Sequence, residues 1–122
     1  MKLSANFDTN EFACGCRCGF GLHPDDIDPL LWQSLQTLRD DLCGAIYLTS
    51  GCRCAAHNEA VGGAPDNQHL LGKAADVYGF PLHLIVEAAT RIEAFANGGM
   101  GLYPIKNFVH LDVRGMAARW TG

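Results

Sequence analysis

Apolar side chains recur at helical spacing in two stretches of the chain. The first begins at Asp28-Pro29, an N-cap acceptor followed by a proline suited to the first helical position. Its apolar residues follow at intervals of three and four until Gly44, and they are Leu31, Leu35, Leu38 and Leu42. The second stretch, 82–97, ends at Gly98-Gly99, and its apolar face comprises Leu82, Ile85, Val86, Ala89, Ile92 and Phe95. The spacing predicts two core-facing helices.

Short segments of β-branched or alternating residues predict four strands, over 45–49, 73–78, 101–103 and 108–113. The last two are separated by Pro104-Ile105-Lys106-Asn107, which is typical of a hairpin turn. A short helix is predicted over 55–61, closed by Gly62-Gly63. The order α-β-α-β-α-β-β lacks the strict alternation of a doubly wound sheet. It predicts an α+β domain with helices packed on a mostly antiparallel sheet.

Length and composition indicate one globular domain over 1–122, in which residues 1–28 form a cysteine-rich N-terminal cap. Hydrophobic residues make up 48% of the chain and charged residues 18%, too apolar for a disordered tail. The 9 basic residues are outnumbered by 13 acidic ones, and no basic stripe interleaves with aromatics, so no nucleic-acid partner is expected. No apolar run approaches the ~20 residues of a membrane span, so membrane insertion is not expected either.

Six cysteines are present, at Cys14, Cys16, Cys18, Cys43, Cys52 and Cys54. Five of them fall in Cys-x-Cys spacings, which differ from the Cys-x-x-Cys of zinc ribbons and thioredoxin-like sites. Free buried thiols, structural disulfides and a second, structural metal site all remain open. Sequence alone does not choose among the possible pairings.

Alternation along the last predicted strand separates two kinds of side chain. Val109, Leu111 and Val113 fall on one face, whereas His110 and Asp112 fall on the other. His69 and Asp76 flank the start of an earlier predicted strand, and small residues between them allow the two side chains to converge. Imidazole and carboxylate are ligands that Zn²⁺ accepts, and three such ligands with an open fourth position define a catalytic zinc. The spacing is compatible with such a site but does not establish it.

The segment Asn67-x-His69-x-x-Gly72-x-Ala74-x-Asp76 resembles the Ser-x-His-x-x-Gly-x-Ala-x-Asp motif of peptidase family M15, the zinc D,D-carboxypeptidases. Further segments resemble its short, single-domain murein peptidases, namely Ser50-Gly51-Cys52-Arg53, Gly99 to Pro104, Phe108 to Asp112, Asn6-Phe7, Glu11-Phe12 and the Cys14–Cys18 cluster. The resemblance extends from Leu3 to Trp120. It implies a hedgehog/D,D-peptidase-like α+β fold, with one catalytic Zn²⁺ held by His69, Asp76 and His110.

The resemblance also implies a place for Arg53 beside the metal, binding a substrate carboxylate or the oxyanion. Asn67 replaces the serine of the motif and keeps a hydrogen-bonding side chain for substrate. Many family members carry an acidic general base three residues before the last histidine, where this chain has Asn107. Asp112 is the substitute candidate, and its alternative role is to orient a ligand histidine. His57 is a further candidate to reach the site, although capping or surface exposure would also explain it.

The expected function is therefore zinc-dependent hydrolysis of peptide bonds in peptidoglycan stem peptides or cross-links, as a carboxypeptidase or endopeptidase of the D,D type, by a monomer. One rival is a non-catalytic relative that binds cell-wall peptides or forms part of a phage. Another is a redox or metal module built on the cysteines, and a cysteine protease is a weaker third. With no apolar leader after Met1, synthesis in the cytoplasm and action on the cell wall are expected, as for a phage or prophage protein.

Overall fold

The computed structural model describes all 122 residues, and four α-helices and five strands form its framework. Asp28 caps the first helix through a side chain that accepts from the Leu30 amide, and Cys43 ends it in a left-handed conformation. The helices are α1 (Pro29–Leu42), α2 (Ala55–Ala60), α3 (Leu82–Thr90) and α4 (Glu93–Ala96). Single 3₁₀ turns lie at Thr9–Glu11, Pro24–Asp26 and Gln68–Leu71.

The strands form one sheet in the order β1-β2-β4-β3-β5. They are β1 (Tyr47–Ser50), β2 (Ala74–Tyr78), β3 (Gly99–Tyr103), β4 (Phe108–Asp112) and β5 (Ala118–Thr121). Three neighbouring pairs are antiparallel, and only β3 and β5 run parallel. The architecture is therefore α+β with a mixed, mostly antiparallel sheet, as the order of predicted elements indicated.

The core lies between one face of this sheet and the helices α1, α3 and α4. Every second residue of β4 enters it, as Val109 and Leu111 do, and the α1 leucines at 31, 35 and 38 are fully buried opposite them. The opposite face of the sheet is consequently free to carry polar side chains. No helix is both long and apolar enough to cross a bilayer.

Two predicted elements differ from those observed. The single helix expected over 82–97 is broken into α3 and α4, because the backbone at Ile92 is extended and turns that side chain into the core. The Thr90 hydroxyl also donates to the Val86 carbonyl (2.7 Å), a local bond that competes with regular helix geometry. The strand β5 was not predicted, since its four residues alternate between partly and fully exposed and lack a buried apolar row.

Candidate metal centre

One row of paired residues crosses all five strands and positions the polar face of the sheet. Ser50 pairs with Asp76, Asp76 with His110, His110 with Gly101, and Gly101 with Trp120. Side chains directly opposite one another in neighbouring strands lie on the same face. The row therefore brings Asp76 and His110 together and leaves the place between His110 and Trp120 without a side chain.

His69 reaches the same place from the 3₁₀ turn that precedes β2. The turn ends at Gly72, whose φ of 67° is left-handed and whose Cα packs so closely against the Asp26 carbonyl that a Cβ would overlap it. His69 is only 2% exposed, and its ring meets that of His110 edge to face with centroids 5.1 Å apart. The structure thus brings together the three side chains that the sequence predicted as ligands.

Hydrogen bonds on the far side of each ring fix which nitrogen faces Asp76. Nδ1 of His69 lies 2.6 Å from the Gly51 carbonyl, which can only accept, so Nδ1–H donates. Nε2 of His110 lies 2.7 Å from Oδ2 of Asp112 and donates likewise. The remaining nitrogens, His69 Nε2 and His110 Nδ1, lie 3.2 and 3.1 Å from the same oxygen, Oδ1 of Asp76.

Two neutral imidazoles would therefore direct lone pairs at one carboxylate oxygen, an arrangement that requires protons or a cation between them. The three facing atoms lie within 4.8 Å of one another. Tetrahedral Zn²⁺ with bonds of about 2.0 Å separates its ligand atoms by about 3.3 Å, close to the distances observed. The donor set of two nitrogens and one oxygen fits a zinc ion that keeps an open position.

The local pKa values follow from these contacts. Burial alone would raise the pKa of Asp76, but hydrogen bonds with His110 and His69 lower it to about 2. For His110, burial lowers the pKa, and hydrogen bonds with Asp112 and Asp76 outweigh burial so that the net shift is upward. Without a metal, these contacts therefore favour the protonated form of His110.

Asp112 is fully buried and engaged on both oxygens. Oδ2 accepts from Nε2 of His110 and from Nη2 of Arg114 (2.7 Å each), whereas Oδ1 accepts from the Gly99 amide (2.7 Å) and Nε of Arg114 (2.9 Å). Burial raises its pKa, but the bonds from His110, Arg114 and Gly99 together hold that pKa far below its usual range. The carboxylate is thus a fixed anion behind His110.

Arg53 is tied to the second oxygen of Asp76. Its Nη2 donates to Oδ2 of Asp76 (3.1 Å), while its Nε donates to the Ser50 hydroxyl (2.9 Å) and its Nη1 lies 3.4 Å from Oδ1 of Asn58. Its side chain is 15% exposed. Arg53 therefore lies beside the candidate metal centre, as expected, with much of its donor capacity already used within the protein.

The three predicted ligands open onto a cavity of about 500 Å³. Asn67 lines it and donates from Nδ2 to Oδ1 of Asn58 (2.6 Å), an orientation fixed because Asn58 donates its own Nδ2 to the Ala64 carbonyl (2.9 Å). Oδ1 of Asn67 is buried and has no hydrogen-bond partner. Since buried acceptors are normally satisfied, this oxygen is suited to accept from a bound molecule.

The far wall of the cavity comes from residues that the sequence did not single out. Trp120 lies over His110 with ring centroids 5.0 Å apart, and its Nε1 donates to the Tyr103 hydroxyl (2.8 Å). Arg114 stacks over the same indole, 5.3 Å from its ring centroid. Gly101 makes this possible, because a Cβ there would overlap the Trp120 ring. Gly101 and Tyr103, which contact Trp120, belong to a strand that the sequence predicted, whereas β5, which carries Trp120, was not predicted.

Two other positions discussed in the sequence lie away from the cavity. Asn107 is exposed in the turn between β3 and β4, where its φ of 60° is left-handed, and it is not part of the cavity wall. His57 lies in α2 and packs over Gly15 in the N-terminal cap, so close that a Cβ on Gly15 would lie 3.0 Å from Nε2. Neither contributes to the cavity.

The six cysteines are all free thiols, and they separate into one group and two isolated residues. The group comprises Cys14, Cys16, Cys18 and Cys54. Cys43 is exposed after α1, whereas Cys52 is buried in the core and its Sγ lies 3.8 Å from the Asp26 carbonyl.

Comparison with known proteins shows the family of the chain. The family model described as Peptidase M15 matches residues 5–112, and the chain belongs to that family. The match is shorter than the extent from Leu3 to Trp120 suggested by the motifs, and it excludes β5. The chain is 30% identical over 108 residues to "Probable peptidoglycan L,D-endopeptidase MepK" of Haemophilus influenzae, covering 79% of this chain and 55% of that protein. The chain thus spans about half the length of this relative.

Proposed function

We propose that this protein is a zinc-dependent peptidase that hydrolyses a peptide bond in the stem peptides or cross-links of peptidoglycan. The observation that carries the proposal is the direction of His69 Nε2 and His110 Nδ1 toward a single oxygen of Asp76, at the base of a cavity. Membership of a peptidase family and likeness to a relative named for peptidoglycan cleavage support it.

His69, Asp76 and His110 would hold the ion. A bound zinc would act as a Lewis acid, polarising the scissile carbonyl and lowering the pKa of water toward about 7. Arg53 would hold Asp76 so that Oδ1 faces the two histidines, because the opposite oxygen is already bonded to the guanidinium. Arg53 would have to make the expected contact with an oxyanion or substrate carboxylate through the N–H groups that are not bonded to Ser50, Asn58 or Asp76.

The contacts of Asp112 favour an orienting role over that of general base. Its oxygens accept from His110, Arg114 and Gly99, and its side chain has no exposed surface. A carboxylate with so low a pKa and no access to the cavity is a poor proton acceptor. Asp112 would instead keep Nε2–H of His110 in place, so that Nδ1 presents its lone pair to the metal.

Proton transfer then falls to a different carboxylate, and we assign it to Asp66. Of the acidic residues lining the cavity, Asp76 is the proposed ligand and Asp66 is the other. Asp66 is exposed on the cavity wall, which it shares with Arg114, and its negative charge contributes to the raised pKa of Arg114. Asp66→Asn should lower turnover while leaving zinc binding intact. Unchanged turnover in Asp66→Asn would exclude this assignment.

The cavity wall suits a peptide that carries carboxylates. Oδ1 of Asn67 is a buried acceptor for a substrate N–H, and Lys106 supplies an exposed cation. Trp120 and the stacked pair of Tyr103 and Phe108, with centroids 4.5 Å apart, provide an apolar side. We infer that Asn67 contacts the substrate backbone, whereas Lys106 attracts its negative charge.

The carboxypeptidase and endopeptidase alternatives predict different partners for the cationic side chains. A carboxypeptidase needs a cation for the terminal carboxylate, and because Arg53 and Arg114 are already bonded to Asp76 and Asp112, Lys106 is the free cation of the cavity wall. The name of the relative favours an endopeptidase. Product analysis distinguishes the two, since a carboxypeptidase releases a single terminal amino acid.

The test is digestion of purified murein, with released peptides separated and identified by mass spectrometry. The full chain should release fragments, a chelator should stop release, and added Zn²⁺ should restore it. His69→Ala should be inactive, and Cys43→Ser is a matched control because Cys43 is exposed and remote from the cavity. Fragment release that persists in His69→Ala or in chelator would refute the zinc mechanism. Zinc binding with no fragment release from any murein would favour a non-catalytic peptide binder.

A further inference from the structure

The four grouped cysteines lie outside the proposed peptidase centre, and nothing in that mechanism uses them. Cys14, Cys16 and Cys18 belong to the N-terminal cap, and Cys54 begins α2. The four Sγ atoms lie within 4.8 Å of one another although Cys54 is about 40 residues from the others in sequence. We propose that these four thiolates bind a second metal ion, a structural Zn²⁺ that joins the N-terminal cap to the segment carrying Arg53.

The sulfur separations match those of a single tetrahedral ion. Cys14 Sγ and Cys16 Sγ are 3.5 Å apart, and Cys16 Sγ and Cys54 Sγ are 3.6 Å apart. Zinc–sulfur bonds of about 2.3 Å in a regular tetrahedron place neighbouring sulfurs about 3.8 Å apart. Four soft thiolates in this arrangement favour Zn²⁺ over the oxygen-preferring Mg²⁺ and Ca²⁺.

Backbone amides around the cluster are arranged to stabilise thiolates. The Cys54 amide lies 3.4 Å from Sγ of Cys14, and the His57 amide lies 3.4 Å from Sγ of Cys54. Such N–H to sulfur bonds orient metal-bound thiolates and offset part of their charge. The left-handed backbone of Arg17 (φ 63°) turns the chain between Cys16 and Cys18, which allows a Cys-x-Cys-x-Cys segment to direct all three sulfurs inward.

The remaining cysteines define the limits of the site. Cys52 is two residues from Cys54, but its side chain is 2% exposed and packs into the hydrophobic core. Cys43 follows α1 and is exposed, with its Sγ directed at the Asp40 carbonyl (3.5 Å). The chain therefore uses four of its six thiols, and it provides Cys43 as an internal control.

The position of the cluster gives the ion a structural task. The Cys52 amide donates to the Phe12 carbonyl (2.8 Å), and Gly51 packs so closely on Phe12 that a Cβ would contact its backbone. Cys54 follows Arg53 directly, and Arg53 holds Asp76 in the peptidase centre. The segment from Gly51 to Cys54 is thus held to the N-terminal cap at Gly51 and Cys52 by packing and a backbone hydrogen bond. A metal ion bound by the cysteines would hold it to the cap at Cys54 as well.

Cobalt spectroscopy and zinc content of the full chain test the proposal without relying on peptidase activity. Protein purified under reducing conditions should contain two zinc ions, and its Co²⁺ form should show intense sulfur-to-cobalt charge-transfer absorption. Cys16→Ser and Cys18→Ser, both at exposed positions, should each lose one zinc ion and weaken this absorption. Cys43→Ser should retain both ions. His110→Ala should lose the other ion and keep the sulfur absorption in full.

The outcomes are separable from those of the peptidase proposal. A wild-type Co²⁺ form without sulfur absorption, in protein whose exposed Cys16 and Cys18 react readily with a thiol reagent, would overturn the second site. Disulfides among the four cysteines in freshly purified protein would overturn it too. If His110→Ala leaves the zinc content unchanged, the proposed metal site of the peptidase centre would be refuted. The sulfur-to-cobalt absorption would still test the cysteine site independently.

Discussion

Replacing Asp112 with asparagine distinguishes the two roles open to this carboxylate. The substitution keeps the shape but turns one oxygen into an NH₂ donor. Placed at Oδ2, the NH₂ would oppose the donors of His110 and Arg114, and placed at Oδ1 it would oppose those of Gly99 and Arg114. Either orientation removes at least two charge-assisted bonds and leaves Arg114 without its counter-ion.

The expected loss of stability follows from the burial of the ion pair between Asp112 and Arg114. Breaking a buried ion pair costs about 3–5 kcal/mol, and Arg114 can partly recover because its side chain is 28% exposed. We therefore expect Asp112→Asn to lower the free energy of unfolding by about 3 kcal/mol. Loss of the carboxylate behind a ligand histidine should also weaken zinc affinity by about 10–100-fold. If Asp112 only orients His110, turnover should recover substantially once zinc is saturating.

The assay combines urea unfolding, zinc competition with a chromophoric chelator, and murein digestion across a zinc titration. Asp41→Asn is the matched control, since Asp41 is an exposed carboxylate on α1. A general base would behave differently. In that case turnover should stay about 10²–10⁴-fold below wild type even at saturating zinc. That result would refute the orienting role and restore Asp112 as the base. The loss of stability does not distinguish the two roles, because the bonds of Asp112 to Arg114 and Gly99 are lost in both.

Three further outcomes are expected. Gly101→Ala should destabilise the protein by about 1–3 kcal/mol and quench or shift Trp120 fluorescence, because the new methyl overlaps the indole; an unchanged spectrum would contradict this packing. Arg53→Lys should weaken zinc binding, measured by competition, because a single ammonium cannot replace the guanidinium on Asp76; wild-type affinity would contradict that dependence. In chelator-treated protein, hydrogen bonds outweigh burial and raise the pKa of His110, so its stabilising contribution is full below about pH 6.5. That contribution is lost as pH rises through the higher folded value, so Tm should fall above about pH 6.5, whereas a rising Tm would contradict the assignment.

Strand alternation was sufficient to predict part of the centre. The two-residue period of β4 placed His110 and Asp112 on the face opposite Val109 and Leu111, and the structure confirms that separation. It could not distinguish a carboxylate that meets substrate from one buried behind the histidine. That distinction depends on Arg114, whose contact with Asp112 arises from the turn after the strand, where periodicity ends.

Contacts between segments distant in sequence could not be predicted from local sequence patterns. The sequence placed Cys52 and Cys54 together, yet Cys52 enters the core and Cys54 joins the cap cysteines, because the chain turns into α2 between them. Trp120 was missed for a related reason. Its strand has no apolar row of its own, and only pairing with β3 defines it.

The five-strand register explains why the polar centre lies where it does. A centre built on neighbouring strands needs residues of matching register, and Asp76 and His110 pair directly across β2 and β4. The next strand, β3, must then leave space on the same face, and it does so because its residue in this row is Gly101. The Trp120 side chain from β5 occupies that space and forms one side of the cavity. A side chain larger than glycine at 101 would separate the aromatic wall from the centre. The glycine is thus as much a requirement of the cavity as the three side chains proposed to bind the metal.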